Sequence, residues 1–198
     1  MFYESGRQEI YIYKDLELPI NADQKYRCIP MYIERMADEF TASMKLHSKV
    51  LAVRVDLQSV EQSGTNTPVE ELLKWFKQDL RRSYHMQNIG HFWVREHSRK
   101  KGIHWHLVLL LDGNIMQSSY AVTERIKSYW EETKKAGRVF IPKNCYTQIR
   151  RGDTGAFNKA FYRASYLAKE RSKKASNKIR GFGASKLAKL IRGRNEHK

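Results

Sequence analysis

Residues 102–111 read GIHWHLVLLL, in which two histidines flank one tryptophan and an apolar run follows. The run predicts a buried β-strand, in which successive side chains point to opposite faces of a sheet. His104 and His106 therefore share one face, and Trp105 points toward a core on the other face. Two imidazoles about 6–7 Å apart along a strand can converge on one divalent cation. By itself, the pattern also fits two ordinary histidines at the rim of a sheet.

The segment before this strand, residues 91–96 with the sequence HFWVRE, is also strand-like. The polar residues 97–102 that follow it end in glycine, which is typical of a β-hairpin. Two strands that pair antiparallel around a centre near Lys100 have paired residue numbers that sum to about 200. The sequence therefore predicts which residues of the two strands face each other.

This register places Glu96 opposite His104 and Val94 opposite His106. Directly paired residues point to the same face with Cβ atoms about 5 Å apart, so one carboxylate and two imidazoles would form a facial cluster. A slip of one residue would turn Glu96 to the other face, where it would be an ordinary solvated strand end. Such mixed ligands suit Mn²⁺, Zn²⁺ or Fe²⁺, and they tolerate Mg²⁺ when a substrate phosphate completes the coordination shell.

The composition predicts a polyanionic partner. Among the 198 residues, Lys and Arg total 37 and Asp and Glu total 21, for a formal net charge of +16. Such an excess is the electrostatic footprint of nucleic-acid binding, with an anionic membrane surface as the alternative. No stretch approaches the roughly 18 apolar residues of a membrane span, and the N-terminus lacks the apolar region of a secretory signal. Cys28 and Cys145 are far apart and lack metal-ligand spacing, which favours a reducing cytoplasm.

The apolar spacing predicts an α+β protein. After residue 48 the predicted order is strand, helix, strand, strand, helix, strand and a further helix. This is the ferredoxin-like β-α-β-β-α-β arrangement with a central antiparallel sheet, followed by a C-terminal helix that carries candidate nucleophiles. The predicted division of the chain is an irregular arm and a helix at 1–48, a central α+β domain at 49–171 and a basic tail at 172–198. The fold alone does not decide the function.

The last predicted helix, residues 156–171, carries a second group of reactive side chains. Tyr162 and Tyr166 are four residues apart and share one helix face, and Lys169 neighbours Tyr166 three residues later. A tyrosine hydroxyl with a reference pKa of about 10 is a poor nucleophile at neutral pH. A nearby lysine, or a metal that polarises the target phosphate, would help it to attack a phosphodiester. Alternatively, the tyrosines flank the core and the lysine is solvated.

Together these motifs resemble those of the HUH endonucleases. The HWH of residues 104–106 is similar to their histidine-hydrophobe-histidine motif. The YRASYLAK of residues 162–169 is similar to the two-tyrosine motif of rolling-circle replication initiators. The predicted strand at 50–57 stands where that family has its first motif strand. The nearest likeness is to the inovirus-type replication proteins of filamentous phages and prophages, and it covers roughly residues 49–171.

This resemblance implies a metal-dependent enzyme that nicks and joins single-stranded DNA. In that family a tyrosine attacks the DNA backbone, which leaves a 5′-phosphotyrosine link and a free 3′-hydroxyl that primes rolling-circle replication. A second tyrosine permits the closing transfer. The implied ligands of the divalent ion, Mn²⁺ or Mg²⁺, are Glu96, His104 and His106, and the implied nucleophiles are Tyr162 and Tyr166.

Two positions extend this assignment. Some two-tyrosine relatives carry a lysine three residues after the first tyrosine, where this chain has Ser165. Because Lys169 stands beside Tyr166 instead, we expect Tyr166 to be the primary nucleophile. Asp56, at the end of the first predicted strand, is expected to support the site from behind the ligands or to contact the metal. The alternative for Asp56 is an ordinary strand-terminating aspartate.

DNA capture is assigned to basic side chains near the ends of predicted elements and in the tail. Contacts of this kind with phosphates make binding strongly salt-dependent, although a basic tail is often only solvated. The expected partners are single-stranded DNA at a replication origin and host replication proteins. The chain has no Gly-x-x-x-x-Gly-Lys-Ser/Thr loop, so we expect no NTPase activity of its own. The predicted DNA contacts are Arg99, Lys100, Lys101, Arg150, Arg151, Lys173 and Lys174.

Other functions fit parts of the same pattern. A catalytically silent DNA-binding regulator needs only the charge and the fold. A transposase or a plasmid relaxase of the HUH type would use the same chemistry on different DNA. A metal-dependent small-molecule enzyme would use the histidine pair and the glutamate, but the net charge of +16 argues against it.

Overall fold

The structure is a computed structural model that describes residues 2–5, 8–22, 27–60, 64–98, 102–170 and 179–195. Within these ranges it is an α+β fold with antiparallel sheets and five α-helices, so the predicted α+β class is confirmed. The helices are α1 (Pro30–Leu46), α2 (Thr67–Tyr84), α3 (Tyr120–Lys127), α4 (Thr154–Ser165) and α5 (Leu187–Asn195). The strands are β1 (Phe2–Ser5), β2 (Gln8–Tyr13), β3 (Leu16–Ile20), β4 (Lys49–Ser59), β5 (Gly90–Ser98), β6 (Gly102–Asp112), β7 (Gly137–Phe140), β8 (Tyr146–Arg150) and β9 (Phe182–Ala184).

The larger sheet has the strand order β7-β4-β6-β5-β9, with every neighbouring pair antiparallel. Strand β8 also pairs with β4, so β7 and β8 follow one another along the same edge of that strand. The β5–β6 hairpin has the predicted register, with Glu96 opposite His104 and Val94 opposite His106. The predicted hairpin is therefore confirmed residue by residue.

Helices cover both faces of this sheet. Helices α2 and α3 pack on one face, where they form a core with the buried rings of Trp93, Trp105 and Trp130. Trp105 is 0% exposed, so it faces away from the two histidines that flank it, as predicted. Helices α1 and α4 pack on the other face, where Phe40 and Phe161 lie in a second core. Burial of each such large apolar side chain contributes about 1.5–3 kcal/mol.

The second core covers only part of its face. Along β4 and β6, the residues beneath α1 and α4 are apolar: Val50, Ala52, Val108 and Leu110. The next residues of the same face, toward the hairpin end of the strands, are polar. The sheet therefore presents a polar region next to an apolar core, and this region contains the candidate functional site.

The N-terminal residues form a three-stranded antiparallel sheet, β1-β2-β3, where the sequence predicted an irregular arm. Leu18 and Ile20 of this sheet are buried in the core with α1 and α4. Tyr11 donates a hydrogen bond of 2.7 Å to Glu34 of α1. Buried tyrosine rings with bonded hydroxyls stabilise a strand despite its polar sequence, which is why hydropathy alone did not indicate one.

The predicted helix at 156–171 ends earlier than expected. Helix α4 ends at Ser165, and a 3₁₀ turn over Tyr166–Ala168 follows it. Beyond the turn, Lys169 forms an antiparallel β-bridge with Cys28. Ile29 N–H donates to the Ala168 carbonyl and Glu170 N–H donates to the Arg27 carbonyl, so these backbone groups bond to a segment far away in sequence instead of continuing the helix.

The C-terminal region contains ordered elements where the sequence predicted only a basic tail. Strand β9 pairs with the outer edge of β5, with Phe182 opposite Val94. The side chain of Arg180 is 2.7 Å from Glu70 of α2 and lies over the ring of Trp93, 5.4 Å from its centroid. These contacts attach the segment after residue 178 to the body of the protein.

Candidate metal centre

The β5–β6 hairpin brings one carboxylate and two imidazoles together on the polar region of the sheet. Glu96 Oε2 lies 3.2 Å from His104 Nε2 and 3.5 Å from His106 Nε2. One ligand atom from each of the three residues lies within 4.8 Å of the others. Their side chains are only 13–16% exposed, so the cluster is recessed but reachable. Two imidazoles and one carboxylate on one face can hold a divalent ion and leave other coordination positions open.

Asp56 lies directly behind one of these imidazoles. It pairs with His106 across the β4–β6 ladder, and its Oδ1 is 2.8 Å from His106 Nδ1. When Nδ1–H donates to this carboxylate, the lone pair of Nε2 points toward Glu96. A carboxylate that orients a histidine in this way is a common feature of protein metal sites. The donor set and the orientation of its histidine therefore fit a divalent metal ion.

The cluster shifts the protonation of its members. Burial alone would lower the pKa of His106, but hydrogen bonds to Asp56 and Glu96 outweigh it and raise the pKa above the ordinary value. Burial alone would raise the pKa of Asp56, but its contacts with His106 and Arg54 outweigh burial and lower the pKa. Without a metal ion, the arrangement thus favours an imidazolium between carboxylates.

Arg54 is a member of the site that sequence reasoning missed. Its Nε and Nη2 donate to Oδ1 and Oδ2 of Asp56, each at 3.1 Å. Its guanidinium also lies 5.3 Å from the ring centroid of Tyr166. A charged residue two positions before Asp56 in an otherwise apolar strand was the available signal, because residues i and i+2 share a face.

Tyr166 stands on the same side of the sheet as the imidazoles. It is 39% exposed and is the first residue of the 3₁₀ turn after α4. Besides the guanidinium of Arg54, Lys169 Nζ lies 5.4 Å from its ring centroid. Arg54 in turn contacts Asp56, which holds His106. One guanidinium therefore connects the candidate nucleophile to the candidate metal centre.

A cavity of about 380 Å³ opens beside this tyrosine, between α4, β4 and the segment 142–147, which includes the start of β8. Its walls include the basic side chains of Arg54, Arg163 and Lys143, together with Tyr166. Arg163 is held in place by Thr147, whose Oγ1 accepts a hydrogen bond of 3.4 Å. A basic cavity next to a hydroxyl is suited to an anionic group such as a phosphate.

The two predicted tyrosines have different surroundings. Tyr162 is half-buried one turn earlier in α4, and among the described residues that line the cavity Tyr166 is present and Tyr162 is absent. Lys169 is 9% exposed and lies beyond the end of the helix, yet it reaches the ring of Tyr166 through the 3₁₀ turn. The structure thus brings Lys169 to the ring of Tyr166, and Tyr162 is not part of the described cavity lining.

Of the seven predicted DNA contacts, the structure describes two, Arg150 and Arg151. Arg150 pairs with Lys49 at the end of β4 away from Asp56, which is about 23 Å distant along the strand. Arg151 donates hydrogen bonds of 3.0 and 3.1 Å to two backbone carbonyls at the end of α1, a position where a cation stabilises the helix. The structure therefore does not bring these two arginines to the metal centre. Outside the described residues lie Arg99, Lys100, Lys101, Lys173 and Lys174.

We expect Mn²⁺ to stabilise the protein more strongly as the pH rises from about 5 to about 8. Protons and a metal ion compete for the His106 imidazole, and its raised pKa extends this competition to a higher pH than for an ordinary imidazole. In the metal-free protein, the contacts that raise this pKa stabilise the fold at low pH, and that contribution is lost as pH rises through the folded-state pKa. The measurement is the shift in Tm caused by Mn²⁺ at each pH.

Asp56→Asn is the control for this pH dependence. The amide removes a negative charge that raises the pKa of His106, so the increase in metal-induced stabilisation should move to lower pH. The assignment of His106 as a ligand would be contradicted if the Tm shift stayed constant across the pH range. It would also be contradicted if the pH dependence were the same in the wild type and Asp56→Asn.

Comparisons with known proteins define the family at a coarser level than the motifs suggested. No helix within the described residues has the length and apolar composition needed to cross a membrane. Neither the curated proteins nor the solved structures contain a significant match to this chain. A match to the family model of the YagK/YfjJ C-terminal domain spans residues 17–185 and includes every strand of the larger sheet. The resemblance to HUH endonucleases remains a hypothesis beside this match. The chain therefore belongs to the YagK/YfjJ C-terminal domain family, a family of prophage-associated proteins.

Proposed function

We propose that this protein is a metal-dependent endonuclease of the HUH type that nicks and joins single-stranded DNA, and that it initiates and terminates rolling-circle replication of a phage or prophage-type element. One observation carries the proposal: the Glu96–His104–His106 cluster and Tyr166 lie on the same side of one sheet, connected through Arg54. The net charge of +16 and the prophage association of the family support a DNA substrate.

The strand order supports a ferredoxin-like core for this enzyme. Within the larger sheet, the path from the β7–β8 edge through β4 and β6 to β5 is antiparallel throughout. Helix α2 connects β4 to β5, helix α3 connects β6 to β7, and both pack on the same face. This is the arrangement expected of two split β-α-β units, and it leaves the opposite face for the metal centre.

In the proposed reaction, the Tyr166 hydroxyl attacks the phosphorus of a phosphodiester. A bond forms between the phenolic oxygen and phosphorus, the bond between phosphorus and the 3′-oxygen breaks, and the phenolic proton ends on the released 3′-hydroxyl. A divalent ion held by Glu96, His104 and His106 would polarise the phosphate and neutralise its charge. Arg54 and Lys169 lie beside the tyrosine ring, where their charges attract the phosphate and steady the attacking group.

The covalent link conserves the energy of the broken phosphoester. A 3′-hydroxyl can attack the phosphotyrosine, which reforms the DNA backbone and returns the proton to the phenolic oxygen. No nucleotide cofactor is needed for such joining. Tyr162, one turn earlier in α4, is the second hydroxyl assigned to the closing transfer.

The decisive experiment is a search for the covalent adduct. The full chain is incubated with single-stranded oligonucleotides that tile the DNA flanking its gene, with Mn²⁺ or Mg²⁺, and the products are separated on a denaturing gel. A 3′ label should migrate with the protein, whereas a 5′ label should be released on a shorter strand that a polymerase can extend. A chelator should abolish both products.

The polarity of the labels makes this test specific. Retention of the 5′ label on the protein would contradict the proposed 5′-phosphotyrosine link. Binding of the oligonucleotides without cleavage, under every divalent ion tried, would favour a catalytically silent regulator instead. Integration of the cleaved strand into a second DNA would favour a transposase.

A further inference from the structure

Phe140 is an exposed aromatic side chain beside the metal centre that the proposed mechanism does not use. It is 66% exposed and lies at the end of β7, directly opposite Asp56 of β4. Directly paired residues point to the same face, and Val139 next to it packs against the core on the opposite face. The ring of Phe140 therefore stands on the face that carries His106, two strands or about 10 Å away across the sheet.

Positive charges flank this ring on both sides. Arg138, two residues earlier on the same face of β7, is exposed and pairs with Gln58, the residue that lies opposite His104. After Phe140 the chain enters the loop before β8, where the exposed Lys143 lines the cavity beside Tyr166. The order along the chain is thus cation, aromatic ring, cation, next to the candidate nucleophile.

Aromatic rings alternating with cations are what single-stranded nucleic acid requires of a protein surface. An unpaired base stacks on an exposed ring, whereas the backbone phosphates bind the neighbouring cations. A base in a duplex has no free face to offer, so such a surface distinguishes single strands from double strands. The location beside the site of phosphate attack also favours DNA over a second copy of this chain as the occupant.

We propose that Phe140 stacks on an unpaired base of the DNA strand next to the phosphate that is cleaved, and that Arg138 and Lys143 bind the phosphates on either side of that base. The inference rests on the proposed function for the identity of its ligand. It goes further in assigning the surface that selects single-stranded DNA and sets the position of the strand in the site.

The test measures binding alone, in the presence of a chelator, so that cleavage plays no part. The probe is a fluorescein-labelled oligothymidylate of about 20 nucleotides, long enough for one single-strand site. Phe140→Ala should weaken binding about 5- to 150-fold, as expected for the loss of one stacked base. Phe140→Trp should retain the affinity of the wild type. Tyr120→Ala is the matched control, because Tyr120 is 72% exposed on α3, which packs on the opposite face.

A spectroscopic signal separates stacking from a general effect on folding. Of the four tryptophans, Trp93, Trp105 and Trp130 are at most 1% exposed. The fourth, Trp75, is partly buried against Tyr129 on the opposite face, and the wild type measures its contribution. In Phe140→Trp, binding of the oligothymidylate should quench the fluorescence of the new, exposed indole ring by more than any change seen in the wild type. Equal affinity of Phe140→Ala and wild type for the probe would overturn the inference, even if the covalent adduct forms. Weakened binding by Phe140→Ala would support it, even if no DNA is ever cleaved.

The same variants test the competing occupant. If Phe140 contacts a second copy of the chain, Phe140→Ala should change the oligomeric state in analytical ultracentrifugation and leave the affinity for the probe unchanged. That result would overturn the proposed stacking on DNA.

Discussion

Tyr166→Phe is expected to abolish the covalent adduct with single-stranded DNA, with a loss of at least about 10³-fold in the rate of its formation. The substitution removes the phenolic oxygen that forms the bond to phosphorus. It keeps the ring between Arg54 and Lys169, so the fold and the binding of DNA in a chelator should be unchanged. Denaturing gels with 3′-labelled DNA measure the adduct, and fluorescence anisotropy measures the binding.

Tyr162→Phe is the matched control, because Tyr162 lies one turn earlier and is not among the described residues that line the cavity. It should still form the first adduct and should lose mainly the joining of two ends. The opposite result, an adduct that survives Tyr166→Phe and disappears in Tyr162→Phe, would reverse the order of the two tyrosines. An adduct that survives in the double variant would show that neither hydroxyl is the nucleophile.

His106→Ala is expected to lower the affinity for Mn²⁺ at neutral pH by more than about 100-fold, because loss of a partner behind a ligand alone costs about 10–100-fold. Asp56→Asn should lower the Mn²⁺ affinity by about 10–100-fold, because it keeps the Nε2 ligand of His106 and removes only the carboxylate that orients it. Isothermal titration calorimetry with MnCl₂ measures both affinities. His97→Ala is the control, because His97 pairs with Ile103 and so lies on the opposite face of β5.

The graded pattern distinguishes a metal centre from a structural cluster. If the cluster serves only stability, each variant should have a lower Tm than the wild type, with no change in the heat of metal binding. Equal Mn²⁺ affinity in the wild type and His106→Ala would contradict the proposed site. If the proposed metal centre is correct, Asp56→Asn should form less adduct because less of the protein has metal bound. Raising the Mn²⁺ concentration should restore adduct formation in this variant.

The Glu96–His104–His106 cluster was predictable because it depends on local rules. The alternation of β6 put His104 and His106 on one face, and the short hairpin loop determined that Glu96 lies opposite His104. Both rules act over fewer than about ten residues, the range in which strand periodicity and turn length decide the geometry. Trp105, between the two imidazoles, fits the opposite core for the same reason.

The position of Arg54 could not be read from local pattern alone. Its side chain extends along β4 toward Asp56 and lies beside the ring of Tyr166. Tyr166 follows α4, a helix that begins about a hundred residues later in the chain. The surroundings of Lys169 have a similar origin, since the segment around Cys28 pairs with its backbone and ends the helix. Arg151, predicted to bind DNA, instead bonds to backbone carbonyls at the end of α1, another contact between distant parts of the chain.

Local patterns in the amino-acid sequence specify the α+β class, the β5–β6 hairpin and the identity of three side chains that can share a metal ion. Periodicity and turn chemistry suffice for these, because they follow from the backbone geometry of neighbouring residues. Long-range packing, in contrast, places α4 on the face of the sheet that carries the imidazoles, with Tyr166 beside Arg54 and Phe140 exposed next to Asp56. That choice depends on the burial of apolar side chains contributed by segments far apart in sequence, which no local pattern specifies.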